Sequence, residues 1–195
     1  MRLTIFTAVL LITLSAPSQA QDAPDVEVFG GYSFFKGDGG GSLHGWNASI
    51  VGNLGQSFGV VADLSGHYGT QSLRADFSDP DFPATIIARA DSNAKLHMIL
   101  GGLQYAYRKH KKITPFAHAL FGASRLSTKA TLSFAGITRE ISTADIAFTA
   151  AFGGGLDLKL NENVSLRMIQ ADYVLTRFGG STQSNARLSI GIVLH

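Results

Sequence analysis

Read at alternate positions, the stretch WNASIVGNLGQSFGVVADLSG separates into two sets of side chains. Even positions carry Trp46, Ala48, Ile50, Gly52, Leu54, Phe58, Val60, Ala62 and Leu64. Odd positions carry Asn47, Ser49, Val51, Asn53, Ser57, Gly59, Val61, Asp63 and Ser65. A period of two belongs to β-strands, whose successive side chains point to opposite faces, and the Asn-Leu-Gly-Gln break at 53–56 supplies turn chemistry. The stretch therefore predicts a hairpin with one apolar and one small, polar face.

The same alternation recurs and predicts about eight strands. The first covers 26–35, with Val26, Val28, Gly30, Tyr32 and Phe34 in one parity. The hairpin supplies the second and third, the third running on to Tyr68. The fourth, 95–107, has Ile99, Leu103, Tyr105 and Tyr107 at odd positions but Leu96, Met98 and Leu100 at even ones, so its facing stays open. The fifth, 114–124, is equally ambiguous, and His118 is read as facing inward. The sixth, 144–158, sets Ile146, Phe148, Ala150 and Phe152 against Thr149, Ala151, Gly153 and Asp157. The seventh, 164–176, sets Ile169, Ala171, Tyr173 and Leu175 against Met168, Gln170, Asp172 and Val174. The eighth, from 185 to the end, sets Leu188, Ile190, Ile192 and Leu194 against Arg187, Ser189, Gly191 and Val193.

Short connections at 53–56, 108–113 and 159–163 take turns with longer ones at 36–42, 70–94, 125–143 and 177–184. Long loops then gather at one end and short turns at the other. This is the arrangement of an up-and-down transmembrane barrel with short periplasmic turns and longer extracellular loops.

Composition decides what the apolar face touches. Charged residues make up only 15% of the chain, well under the roughly 25% of an ordinary soluble domain. The polar parity is Ser, Asn, Gly, Thr and Ala with an occasional Asp, which suits a crowded lumen better than open solvent. Asp63, His67, Asp157, Arg167, Gln170 and Asp172 are expected to bond to one another across that lumen. Aromatics fall near both ends of the strands. Phe34, Trp46, Tyr68, Phe148 and Tyr173 sit at the long-loop end; Phe58, Tyr105 and Tyr107 sit at the other, with Phe116 a further candidate. Two such rings are the girdles of a membrane barrel, although strands are rich in aromatics in any case.

Residues 1–20 read as a secretory signal: a positive start at Arg2, an apolar run from Leu3 to Leu14, and small residues at Ser18-Gln19-Ala20. That run is shorter than the roughly 20 residues a spanning helix needs. Residues 21–195 then form one barrel domain. There is no Cys, hence no disulfide or thiolate metal site. Lys+Arg number 16 and Asp+Glu 14, a balance that does not argue for nucleic acid.

Over residues 25–195 the chain resembles the small outer-membrane β-barrel family of Gram-negative bacteria, the OmpA-like or porin-family-like eight-stranded barrels. The segments that carry the likeness are VEVFGGYSFF, GNLGQSFGVVADLSG, ITPFAHALFGASR, QADYVLTRFG and ARLSIGIVL. The resemblance implies an all-β, eight-stranded antiparallel up-and-down transmembrane β-barrel, with outer-membrane lipids and the membrane-insertion machinery as partners. It implies no single activity, because the family hosts anchors, adhesins, narrow pores and a few enzymes. Its members end on an aromatic residue used in insertion, and the spacing Gly191-Ile-Val-Leu194-His195 stops one position before it. An atypical insertion signal, or a further residue, is expected.

Candidate chemistry is sparse. KGDGGGS, 36–42, lacks the phosphate-loop pattern and a following helix and reads as a surface loop. RKHKK, 108–112, reads as a solvated periplasmic turn with lipid headgroups as a second option. His67, His97 and His118 fall on different strands with no metal-ligand spacing. Ser65, His67 and Asp63 share the inward parity, away from a lipid substrate, and no G-x-S-x-G elbow supports catalysis. No cofactor, metal or enzymatic role is expected. The segment 70–94 suits either an extracellular hairpin that binds a ligand or passive shielding. The expected function is a structural, surface-display scaffold with four extracellular loops and no wide pore. The alternatives are a narrow porin-like channel and a soluble lipocalin-like binding barrel.

Overall fold

Eight strands, each hydrogen-bonded to its chain neighbours, close into a barrel in the order β1 to β8. The computed structural model describes residues 24–38, 41–77, 86–110, 112–134 and 137–195. The strands are β1 Val26–Lys36, β2 Ser42–Asn53, β3 Phe58–Phe77, β4 Ile86–Ala106, β5 Ile113–Phe134, β6 Ile137–Lys159, β7 Val164–Phe178 and β8 Ser181–Leu194. Every pairing is antiparallel, and β1 closes on β8 through Val28↔Leu194 to Lys36↔Ala186. Closure leaves no open sheet edge over the paired belt, so backbone N–H and C=O groups there have partners without water. Residues 1–20, where a secretory signal is expected, lie outside the described residues.

Facing follows the expected alternation in the first hairpin. Trp46, Ile50, Phe58, Val60 and Leu64 are exposed on the outer surface, while Asn47, Ser49, Asp63 and Ser65 are buried inside. The two ambiguous strands resolve the same way. In β4 the odd residues Ile99, Leu103 and Tyr105 face outward, and Leu96, Met98 and Leu100 are buried. In β5 Phe121 faces outward, while His118 and Leu120 are buried. Phe116, a candidate for the outer aromatic ring, is instead inside at 6% exposure, since it shares the inward parity of His118.

The strands depart from expectation in length. Much of the expected loops 70–94 and 125–143 is strand: Thr70↔Asn93 through Phe77↔Ile86 continue the β3–β4 ladder, and Arg125↔Ile146 through Phe134↔Ile137 continue β5–β6, while 78–85 and 135–136 lie outside the described residues. Strands β3 to β6 reach 20 to 23 residues. A backbone ladder needs no apolar face, and the apolar parity of the β5–β6 extension is interrupted by Thr128, Arg139 and Thr143, so the alternation that marks a strand in lipid fades. The β2–β3 ladder stops at His44↔Tyr68, and β6–β7 begins only at Phe148↔Arg177. Four strands therefore rise as a wall above the other four.

The segment 177–184 is likewise no long loop. Arg177↔Thr182 and Phe178↔Ser181 are paired, leaving a two-residue turn of Gly179 and Gly180 with φ of 55° and 85°. Positive φ at both central residues is the primed hairpin turn, and glycine reaches it without strain.

Candidate functional site

The inward side chains of six strands meet in one polar network. Arg187 of β8 is fully buried. Its Nη1 donates to Asp63 Oδ1 of β3 at 2.7 Å and to Ser65 Oγ at 3.3 Å, and its Nε donates to Asp172 Oδ2 of β7 at 2.8 Å. Asn47 Nδ2 of β2 donates to Asp63 Oδ2 at 2.7 Å. Asp172 is held further by His118 Nε2 of β5 at 2.7 Å and by Gln170 Nε2 at 2.9 Å. Each carboxylate is thus met by several donors, the condition under which buried charge is tolerated.

The chain continues to a second cation. Arg167 Nη1 donates to Gln170 Oε1 at 2.8 Å, and its Nε and Nη2 hold both oxygens of Asp157 at 2.8 and 2.9 Å. This two-bond fork fixes the guanidinium plane. Phe29 and Phe116 flank that plane, with ring centroids 4.4 and 4.2 Å from its Cζ, a stacking geometry favourable to a weakly hydrated cation.

A β-bulge brings Arg167 and Gln170 together. The β7 register shifts between Arg167 and Gln170, so Met168 and Ile169 both face outward. Strict alternation puts Met168 with Gln170 on the inside; the bulge overturns that assignment, because one extra residue resets the parity of a strand. It also lets an odd and an even residue share the lumen.

Of the six residues expected in the interior network, Asp63, Asp157, Arg167, Gln170 and Asp172 join it. His67 is buried but lies apart: its Nε2 pairs with Ser33 Oγ at 2.9 Å, and Ser189 Oγ donates to the same Ser33. His67 Nδ1 and Asn47 Oδ1 have no hydrogen-bond partner among the described residues. The anchor that sequence reasoning left out is Arg187, whose parity with Ser189 was the available signal. His118, Asn47 and Phe29 were similarly within reach of the alternation.

The lumen is not uniformly small and polar, as its composition suggested. Beside the network Leu96, Met98 and Leu100 of β4 belong to a buried apolar cluster with Phe35, Val61, Leu120 and Val174. Ser65 and His67 do not pair with each other, since Ser65 meets Arg187 while His67 meets Ser33. His97 faces outward against the Tyr68 hydroxyl, 3.1 Å from its Nε2. Among the described residues no group of three or more His, Cys, Asp or Glu side chains could hold a metal ion.

At the short-turn end, the first residue of the basic run is clasped rather than free. Arg108 pairs with Glu27, its Nη2 donates to Asn53 Oδ1 at 3.1 Å and its Nη1 to Gln56 O at 2.8 Å. Just past β8, burial lowers the His195 imidazole below its ordinary pKa, and its Nε2 lies 2.8 Å from Ser165 Oγ.

Outside the barrel, Trp46, Phe58, Tyr68, Tyr105, Tyr107, Phe148 and Tyr173 are exposed, and Phe34 is half-buried. Phe58 and Tyr105 meet edge to face at 5.2 Å near the short turns, and Tyr173 Oη donates to Ser184 Oγ at 2.8 Å near the hairpin end.

The family described as outer membrane protein beta-barrel domain matches residues 6–195. Among solved structures the chain is similar to Ail, the attachment invasion locus protein of Yersinia pestis, at 18% identity, with 86% of this chain and 95% of that one covered and a TM-score of 0.47. It is similar to the outer membrane protein OprG from Pseudomonas aeruginosa at 12% identity, covering 91% and 98%, with a TM-score of 0.48. Neisserial surface protein A matches at 13% identity, covering 87% and 94%, with a TM-score of 0.41. No curated protein matches the chain.

Proposed function

The chain belongs to the outer membrane β-barrel family, and from that premise we propose that it is a non-enzymatic surface-display scaffold whose lumen carries no wide pore. Residues 1–20 are its export signal and 21–195 the inserted barrel, with the hairpin end outermost. Outer-membrane lipids cover the apolar surface, the aromatics named above form its two interfacial girdles, and the insertion machinery assembles it. The hairpins at 70–94 and 125–143 are the elements through which it meets an extracellular ligand.

The observation that carries this reading is Arg187. A fully buried cation, tied to Asp63 on one strand and Asp172 on another, bridges the lumen where a conducting path would need water. Leu120, Met98 and Leu100 add a buried apolar cluster to the same lumen. An eight-stranded barrel has an interior just wide enough for side chains to fill.

Planar-bilayer recording of the refolded chain tests the scaffold against the channel. Flat current traces are expected, and reproducible unitary steps overturn the scaffold in favour of a narrow channel. Fractionation tests the location: the protein is expected with outer membranes, and recovery in the periplasmic supernatant points to a soluble binding barrel.

A further inference from the structure

A cavity of about 430 Å³ opens at the hairpin end of the barrel. Its floor is apolar: Phe35 and Leu96 belong to the buried apolar cluster of the lumen, and Leu43 and Leu126 pack against that cluster. Val174 and Leu120, both fully buried, belong to the same cluster, so the cavity is a cup rather than a passage. Its volume lies within the roughly 300–1,000 Å³ typical of small-molecule sites.

The rim has a different chemistry. Gln71, Ser92, Thr128 and Gln183 line it, and among the described residues their side chains make no hydrogen bond to the protein. Asn185 is already committed: its Nδ2 donates to Thr176 Oγ1 at 3.1 Å and its Oδ1 accepts the Asp38 N–H at 3.1 Å. Asp38 is the sole charged residue among the described residues that line the cavity, and Lys36 stands beside it, its Nζ donating to Ser42 Oγ at 3.4 Å.

The apolar floor also continues upward. Leu126, Ala130 and Leu132 of β5 share one parity, and Ile141 of β6 pairs with Ala130 across the ladder. Leu132 and Ile141 are both exposed on the face of the raised wall that looks over the cavity, which they share with Arg139, the ladder partner of Leu132. Apolar side chains on that concave face gain little from water and would gain from a guest.

We propose that this mouth cavity binds small uncharged amphiphiles. The aliphatic or aromatic body rests on Phe35, Leu43, Leu96 and Leu126, and a hydrogen-bonding head meets Gln71, Ser92, Thr128 or Gln183. Anionic amphiphiles of the same length bind more weakly, because Asp38 is the sole charged side chain among the described residues that line the cup. The inference goes beyond the scaffold reading, since a plugged barrel can carry a binding cup with or without a display role.

The test uses the full mature chain, labelled with 15N-glycine and refolded into lipid nanodiscs, titrated with 1-hexanol and separately with hexanoate. Gly41 and Gly69 line the cavity, whereas Gly101 is exposed on the outer face and reports simple partition into lipid. Saturable shifts at Gly41 and Gly69 are expected with hexanol, with hexanoate binding at least about tenfold more weakly because its charge meets the Asp38 carboxylate. Ala94→Trp, which fills the cavity, is expected to weaken hexanol binding by about tenfold or more. Thr128→Phe serves if that variant does not fold, as judged by the fast-migrating unboiled band. Shifts confined to Gly101, unsaturating shifts, equal binding of hexanoate, or equal binding in a folded filled-cavity variant each overturn the proposal. Flat bilayer traces beside any of these results leave the scaffold reading intact.

Discussion

Arg187 and Asp63 are 124 residues apart in the chain, yet Nη1 of one lies 2.7 Å from Oδ1 of the other inside the barrel. The contact spans strands that are not ladder neighbours, β8 and β3. It forms only when the sheet has closed.

Arg187→Met should therefore leave Asp63 and Asp172 buried without their shared cation. Breaking a buried pair by removing one partner costs about 3–5 kcal/mol, read as a lower urea midpoint for the refolded barrel in vesicles. A loss under about 1 kcal/mol, the range of exposed pairs, would show that the bridge does not hold the strands. Replacing Asp63 and Asp172 by Asn in the same chain should recover part of the loss.

Arg167→Lys keeps the charge and discards the planar fork. Lysine cannot hold both oxygens of Asp157 while stacking between Phe29 and Phe116. The expected cost is about 1–3 kcal/mol from the weakened charge-assisted bonds and lost cation–π contact. Equal midpoints for the two proteins would place the value of this residue in charge alone.

The outer face offers a depth test of the proposed lipid contact. Ile50→Arg and Ile190→Arg, both on exposed outward positions, should destabilise by about 2–4 kcal/mol if they lie near the bilayer midplane. Ile146→Arg, at 75% exposure next to Arg125 at the top of the belt, should cost at most about 1 kcal/mol. A spin label at Ile50 or Val60 should report acyl chains, and bulk-water mobility there would sink the membrane reading.

Two glycines should respond in opposite ways to a methyl group. At Gly153 a Cβ would overlap the Ala171 carbonyl and the Asp172 carboxylate, so Gly153→Ala should cost about 1–3 kcal/mol through overpacking and disturbance of the network. Gly52 has nothing within 4 Å of that position, and Gly52→Ala should stay within about 0.5 kcal/mol. Indistinguishable unfolding curves would mean the backbone at Gly153 yields freely.

Legibility varied with environment. Strands β1 to β3 and β8 could be read because lipid-type and lumen-type side chains differ there: Trp46, Ile50 and Leu64 against Asn47, Ser49 and Asp63. Strand β4 could not, since Leu96 and Met98 inside are as apolar as Ile99 and Leu103 outside. Alternation carries information only where the two solvents differ. The hairpin extensions were hidden for another reason: polar and charged residues such as Thr128, Arg139 and Thr143 break up their apolar parity.

The sequence by itself determined the strand number, the up-and-down order and, outside β4 and β5, which parity is apolar, because those follow from a period of two and from turn chemistry, both local. It also marked Asp63, Asp157, Arg167, Gln170 and Asp172 as inward. Only the tertiary structure decided that Arg187 joins them, that a bulge seats Arg167 beside Gln170, that His67 stands apart with Ser33, and that four strands rise above the rim. Partner choice across a lumen depends on the stagger with which strands close, and that stagger belongs to the whole sheet rather than to any segment of it.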